Sequence, residues 1–141
     1  MRILGLDLGT KTLGIAISDK TQSIANPYKT ITFKNVEDVI EPLNAIIKEY
    51  GIVEIALGLP KNMDNSLGFA SERSLSFKEI LAKHIDLPII LVDERLSTME
   101  AERYLLDADM SRKKRKDKID AVAASVILNT YLRMKGNGCN E

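Results

Sequence analysis

The sequence predicts an α/β layer fold built on one mixed five-stranded sheet, an antiparallel meander of three strands followed by two parallel strands, with helices flanking it. Three observations carry this expectation. Apolar residues alternate with small ones close to the N-terminus, as in paired strands. Beyond residue 35 the apolar period lengthens from two residues to that of a helix. Short apolar runs then alternate with helical segments, the pattern of crossover connections between parallel strands.

Taken in order, Ile3, Leu4, Leu6 and Leu8 form the first strand, with Asp7 set inside it. After the turn Gly9-Thr10-Lys11-Thr12, Leu13, Ile15 and Ile17 alternate with Gly14, Ala16 and Ser18 as a second strand folded back on the first. Ala25-Asn26-Pro27 reads as a turn and Tyr28 to Phe33 as the third strand. From Val36 a helix is expected, with Asn35 as N-cap, Gly51 as its stop and Pro42 either kinking it or making its regular part begin near Glu41. Ile52 to Leu57 is the fourth strand, ending in Gly58-Leu59-Pro60. A second helix, capped at Ser66, turns Phe69, Phe77, Ile80 and Leu81 inward until Asp86-Leu87-Pro88 breaks it. Ile89 to Val92 is apolar throughout, which predicts a central strand or one covered on both faces, ending in Asp93-Glu94-Arg95. Ser97-Thr98-Met99-Glu100 matches a capping box for a short helix to about Leu106. Asp107 to Lys116 reads as a mobile loop, and a last helix starts near Asp117. Residues 1–135 are expected to form a single domain and 136–141 a disordered tail.

Composition excludes several classes of protein. Hydrophobic residues at 45% and charged residues at 28% are ordinary for a soluble domain, and no apolar run approaches the roughly 20 residues that span a bilayer. No signal peptide is expected, and the single Cys139 rules out an internal disulfide framework, so the expected compartment is the cytoplasm. With 20 basic and 20 acidic residues, an argument for nucleic acid has to come from local clustering. Such a cluster exists: six of the seven residues from Arg112 to Lys118 are basic.

Three carboxylates stand at informative positions: Asp7 inside the first strand, Glu94 at the end of the fifth, and Asp120 in the first turn of the last helix. Each has a plain structural account by itself. Asp7 fits a buried salt bridge, Glu94 a strand end, and Asp120 an acid offsetting a helix dipole. Asp93 shares the ambiguity of Glu94, while Asp19, Asp64 and Asp117 read as turn and cap residues. Lys11 and Arg95 have the bland reading of exposed charges, and the basic run that of a solvated loop. If the first strand lies beside the fourth and fifth, the acids converge at one end of the sheet.

Four motifs in order make the chain resemble the YqgF/RuvX family of RNase H-like nucleases along nearly its whole length. They are Gly5-Leu6-Asp7-Leu8-Gly9-Thr10-Lys11 with Gly14 to Asp19; Gly58-Leu59-Pro60 with Met63-Asp64; Asp93 to Thr98; and Lys118-Ile119-Asp120-Ala121-Val122-Ala123-Ala124. The family usually carries Gly where this chain has Asn65. The resemblance implies a three-layer RNase H-like fold and an acidic, metal-holding catalytic site at Asp7, Glu94 and Asp120. It further implies processing of the 5′ end of the small-subunit (16S) ribosomal RNA precursor, or else Holliday-junction resolution on branched DNA.

The residue types suit that chemistry. Phosphodiester hydrolysis is served by two divalent cations about 4 Å apart, and Mg²⁺ or Mn²⁺ takes carboxylate oxygens. With only His84 and Cys139, the chain has no zinc cage. Lys11, Arg95, Arg112, Lys113, Lys114, Arg115, Lys116 and Lys118 are the expected phosphate contacts. Two rival readings remain. The Gly5 to Thr10 segment also looks like the phosphate hairpin of actin-like ATPases and sugar kinases, but those folds duplicate a unit that 141 residues supply once. A module that holds RNA without cutting it is the stronger rival, and loss of an acid would favour it.

Overall fold

The computed structural model describes residues 1–59, 68–93 and 112–139, with backbone alone at 69–70, 112–120 and 136–139. The loop from Lys61 to Asn65, the Ser66 cap, Glu94, Arg95 and the short helix expected before Leu106 lie outside the described residues. Strands β1 (Arg2–Leu8), β2 (Thr12–Ser18) and β3 (Ala25–Thr32) are followed by a 3₁₀ turn (Val36–Val39), helix α1 (Ile40–Tyr50) and β4 (Ile52–Leu59). Helix α2 (Phe69–His84), β5 (Ile89–Asp93) and helix α3 (Arg112–Cys139) complete the described elements. The sheet order is β3-β2-β1-β4-β5, with β1–β2 and β2–β3 antiparallel and β1–β4 and β4–β5 parallel. The expected mixed sheet is therefore present, with β1 at its centre.

Alternation along the strands sorts the side chains into two layers. Leu4, Leu6, Leu8, Leu13, Ile15 and Ile17 join Leu43, Ile46, Phe77 and Leu81 in a core beneath α1 and α2. Ile3, Ala16, Ala56 and Val92 pack against Ala124, Ile127, Leu128 and Leu132 of α3 on the opposite face. That second face is made of small residues, so α3 approaches the sheet closely. A Cβ added to Gly5 would lie 2.7 Å from Leu128 Cβ and 2.9 Å from the Ala124 carbonyl oxygen. Glycine in a central strand here reflects the nearness of another backbone.

Several elements differ from expectation for identifiable reasons. β3 begins at Ala25 rather than Tyr28, because Pro27 sits on an edge strand at a register shift between Ile15 and Ala16, where the missing N–H is tolerated. The helix expected from Val36 opens as a 3₁₀ turn and becomes regular at Ile40, which leaves Pro42 in the first turn of α1. Gly51 ends α1 in the left-handed conformation, φ 65°. The cap of α2 is Gly68.

β5 is not central. It is outermost in the sheet; Ile89, Ile90 and Leu91 are half-buried and only Val92 is fully buried. The last helix starts at Arg112, so the basic residues expected in a mobile loop occupy its first turns. Nothing between Arg112 and Asp117 breaks a helix, and Arg and Lys are good helix formers. At its other end the helix runs to Cys139, into the segment expected to be a tail.

Asp19 fulfils its turn reading between β2 and β3. Its carboxylate accepts hydrogen bonds from the Thr21 hydroxyl and from the backbone N–H groups of Ser23 (2.8 Å) and Ile24 (3.1 Å). The Thr21 bond, then those of Ile24 and Ser23, lower its pKa from 3.8 to about 2. A depressed folded-state pKa stabilises the fold above the unfolded value and loses that contribution as pH falls. Asp19→Ala should therefore lower the melting temperature at pH 7, with the deficit shrinking between pH 4 and 2; a deficit independent of pH would refute this account.

Candidate active site

Asp7 occupies the sixth position of β1 and is half-buried. Leu4, Leu6 and Leu8 belong to the core under α1 and α2, so Asp7 falls with Ile3 and Gly5 on the α3 side of the sheet. Its partner on β2 is Gly14. On β4, Gly58 follows Leu57, the partner of Leu6, and is itself paired with Val92 of β5. The strand positions that flank Asp7 on either side are thus glycines.

The direction of α3 brings Asp120 to the same end. Ala124 and Leu128 lie over Gly5, while Tyr131 and Lys135, farther along the helix, hydrogen-bond Glu54, the β4 partner of Ile3. The helix thus runs antiparallel to β1. Asp7 is two strand residues beyond Gly5, about 6.6 Å. Asp120 is four helix residues before Ala124, about 6 Å in the same direction and on the same stripe. The two backbone positions therefore face one another across the sheet–helix interface, though they are remote in sequence.

Glu94 lies outside the described residues, directly after β5. Val92, two residues before it, belongs to the α3 face. Asp93 is exposed and shares the strand parity of Ile89 and Leu91, which pack against the opposite core, so it does not share the face of Asp7. Lys11 is exposed at the hairpin tip, where its carbonyl accepts the Phe33 N–H at 2.9 Å and the Gly9 N–H donates to the Thr12 carbonyl at 2.7 Å. Arg95 is outside the described residues. Arg112 to Lys116 and Lys118 occupy the first two turns of α3, the end that bears Asp120. Among the described residues no three potential ligands form a metal-binding group.

The sequence reading missed the anchor at the far end of α3. Tyr131 Oη donates to Glu54 Oε2 at 2.5 Å, and Lys135 Nζ forms an ion pair with Glu54 Oε1. Burial alone would raise the Glu54 pKa, but the bonds from Lys135 and Tyr131 outweigh it and hold the carboxyl below its ordinary value. Burial, then the bond to Glu54, pushes the Tyr131 hydroxyl up to about 12. A carboxylate with two donors fixes the axial position of the helix, and with it the level at which Asp120 stands. No local pattern signals this cluster, because Glu54 and Tyr131 are 77 residues apart.

The donor set fits a hard dication. Asp7, Asp120 and Glu94, if they meet, would together offer only carboxylate oxygens, the donors that such an ion takes. Among the described residues no helix is long and apolar enough to cross a membrane.

Comparison with known proteins identifies the family. Residues 1–134 match the family model RuvX, described as a Holliday junction resolvase. The chain is 50% identical over 132 residues to a protein of Halothermothrix orenii, covering 94% of each, and 52% identical over 134 residues to one of Staphylococcus haemolyticus, covering 93% of this chain and 94% of that one. Both carry the name "Putative pre-16S rRNA nuclease". Among solved structures, Thermus thermophilus RuvC in complex with a Holliday junction superposes with a TM-score of 0.61 at 16% identity, covering 96% of each chain, which shows a shared fold. A family match over nearly the whole length, together with relatives half identical to it, establishes that this chain belongs to the RuvX family.

Proposed function

We propose that the chain is a divalent-metal-dependent nuclease that processes the 5′ end of the small-subunit ribosomal RNA precursor in the cytoplasm, with residues 1–135 acting as one catalytic domain. What supports this reading is that the backbone positions of Asp7 in β1 and Asp120 in α3 come to the same end of the sheet–helix interface. Its family and the names of its relatives support a nucleic-acid hydrolase. Asp7, Glu94 and Asp120 would hold Mg²⁺ or Mn²⁺, in a two-ion site. Such ions supply activation of the attacking water and stabilisation of the leaving oxygen. The chain itself orients the strand: Lys11 and Arg95 neutralise phosphates beside the acids, and the basic turns of α3 draw the polyanion toward them.

Helix stability does not explain those basic turns. Cations at a helix N-terminus oppose its dipole, and no acid occupies the first turn of α3. A bound phosphate backbone would remove that penalty. Replacing Arg112, Lys113, Lys114 and Arg115 with Ala should weaken RNA binding evenly across sequences and flatten the salt dependence by up to about one unit of slope per lost contact. The melting temperature should hold or rise, since alanine is the better helix former and repulsion is relieved. Unchanged affinity and slope would move the binding surface elsewhere.

Resolution of branched DNA is the second reading, favoured by the description of the family model. It calls for two active sites and hence a dimer. Incubating the purified protein with precursor RNA, single-stranded DNA and a four-way junction, in Mg²⁺, Mn²⁺ or EDTA, separates the readings. Metal-dependent trimming of the RNA is expected. Selective junction cleavage by a dimer would replace it, and RNA binding without cleavage would favour the non-catalytic module.

A further inference from the structure

On the face of the sheet opposite α3, a cleft of about 430 Å³ lies between the hairpin tip, the connection from β3 to α1, and helix α2. Its floor is apolar, formed by Leu8, Phe33 and Ile80, and its rim carries Thr10, Asn35 and Ser76. Lys34 and Arg73 line it from separate elements, and no acid among the described residues does. Both cations are exposed, and neither has an ion-pair or hydrogen-bond partner among the described residues. Bringing two like charges to one cleft gives the fold nothing and suits an anion.

We propose that this cleft binds a single nucleotide unit, its phosphate held by Lys34 and Arg73 and its base laid on the apolar floor. A site for bare phosphate would not need the apolar surface, and a purely apolar ligand would not need the cations. The volume is at the small end of ligand pockets, sized for one nucleotide and too small for a duplex. Thr10, Asn35 and Ser76 offer hydrogen-bond partners to base or sugar edges.

Position connects the cleft to the acids. Leu8 directly follows Asp7, so consecutive residues of β1 serve the two faces at the same end of the sheet. A strand passing over the hairpin tip, beside Lys11, would reach the cleft with a nucleotide flanking the scissile phosphate. That a substrate strand is the source rests on the nuclease reading; the ligand chemistry does not. A free mononucleotide would satisfy the same contacts.

The test is amide and methyl NMR of the full chain in EDTA, where no cleavage occurs, with adenosine monophosphate, uridine monophosphate, an RNA tetranucleotide and inorganic phosphate added separately. Nucleotides should shift the amides of Phe33 to Val36 and Arg73 to Phe77 and the methyls of Leu8 and Ile80. The Lys34→Ala/Arg73→Ala variant should bind them about tenfold more weakly. Tighter binding of the tetranucleotide identifies a substrate strand, and binding of monophosphates alone identifies a free nucleotide; both support the site. It is overturned if no nucleotide shifts these resonances, if inorganic phosphate reproduces the shifts at equal affinity, or if the variant binds unchanged. Because the readout is metal-free binding, a protein that takes nucleotides here yet cuts nothing would refute the nuclease reading alone.

Discussion

Asp7→Asn is expected to abolish metal-dependent cleavage while leaving the fold intact. A metal-held transition state is stabilised by several kcal/mol, so loss of a shared carboxylate should lower the rate by about 10³-fold or more. The amide occupies the same volume in β1, and in EDTA its melting temperature should equal or exceed the wild-type value, since one charge leaves the proposed acidic cluster. Added Mn²⁺ should raise the melting temperature of the wild type and not that of the variant, because only a ligand that binds the folded state stabilises it. RNA affinity in EDTA should persist, as the basic turns of α3 are untouched. A variant with full Mg²⁺-dependent activity would remove Asp7 from the site, and with it the assignment of Asp120 as its partner.

Gly5→Ala should be strongly damaging for a single added methyl group. Its Cβ would stand 2.7 Å from Leu128 Cβ and 2.9 Å from the Ala124 carbonyl oxygen, and neither belongs to the far end of a flexible side chain. Helix α3 must then lift or slide. Overpacking of this kind costs about 1–3 kcal/mol. That is a substantial part of the roughly 5–15 kcal/mol stability of a domain. Since α3 carries Asp120, cleavage should fall further than the unfolded fraction explains, even at temperatures where the variant is fully folded. Thermal melts alongside single-turnover cleavage provide the check. Wild-type stability and rate in Gly5→Ala would mean that the helix does not set the geometry of the acids.

The central hairpin was legible because β2 obeys a period of two: large residues at Leu13, Ile15 and Ile17 and small ones between them leave one consistent sheet orientation. The same alternation, followed through Gly5, Ala56 and Gly58, marks the face on which α3 lies. Other features could not be read this way. The run from Ile89 to Val92 suits a central strand and an outer strand equally, since apolar character does not report the number of neighbours. Charge made the segment from Arg112 to Lys116 resemble a loop, although helix propensity permits the helix that forms there. Gly5 stood within a motif, but its need to be glycine arises from Ala124 and Leu128, contacts that exist only after folding. The Glu54, Tyr131 and Lys135 anchor likewise joins residues with no local pattern.

The placement of α3 also bears on when activity can arise during synthesis. The meander of β1, β2 and β3 is joined by short connections and can form as soon as it is made, whereas α3 closes on it through contacts such as the Asn129 side chain accepting the Ala25 N–H, 104 residues away. Long-range closure of this kind comes late, because the loop entropy is lost before the contacts compensate it. On a chain made from its N-terminus, Asp7 is exposed to solvent-borne RNA long before Asp120 has been added. On the proposed reading, splitting the acids between the first strand and the last helix would keep the nascent chain inert toward the RNA of the ribosome that is making it.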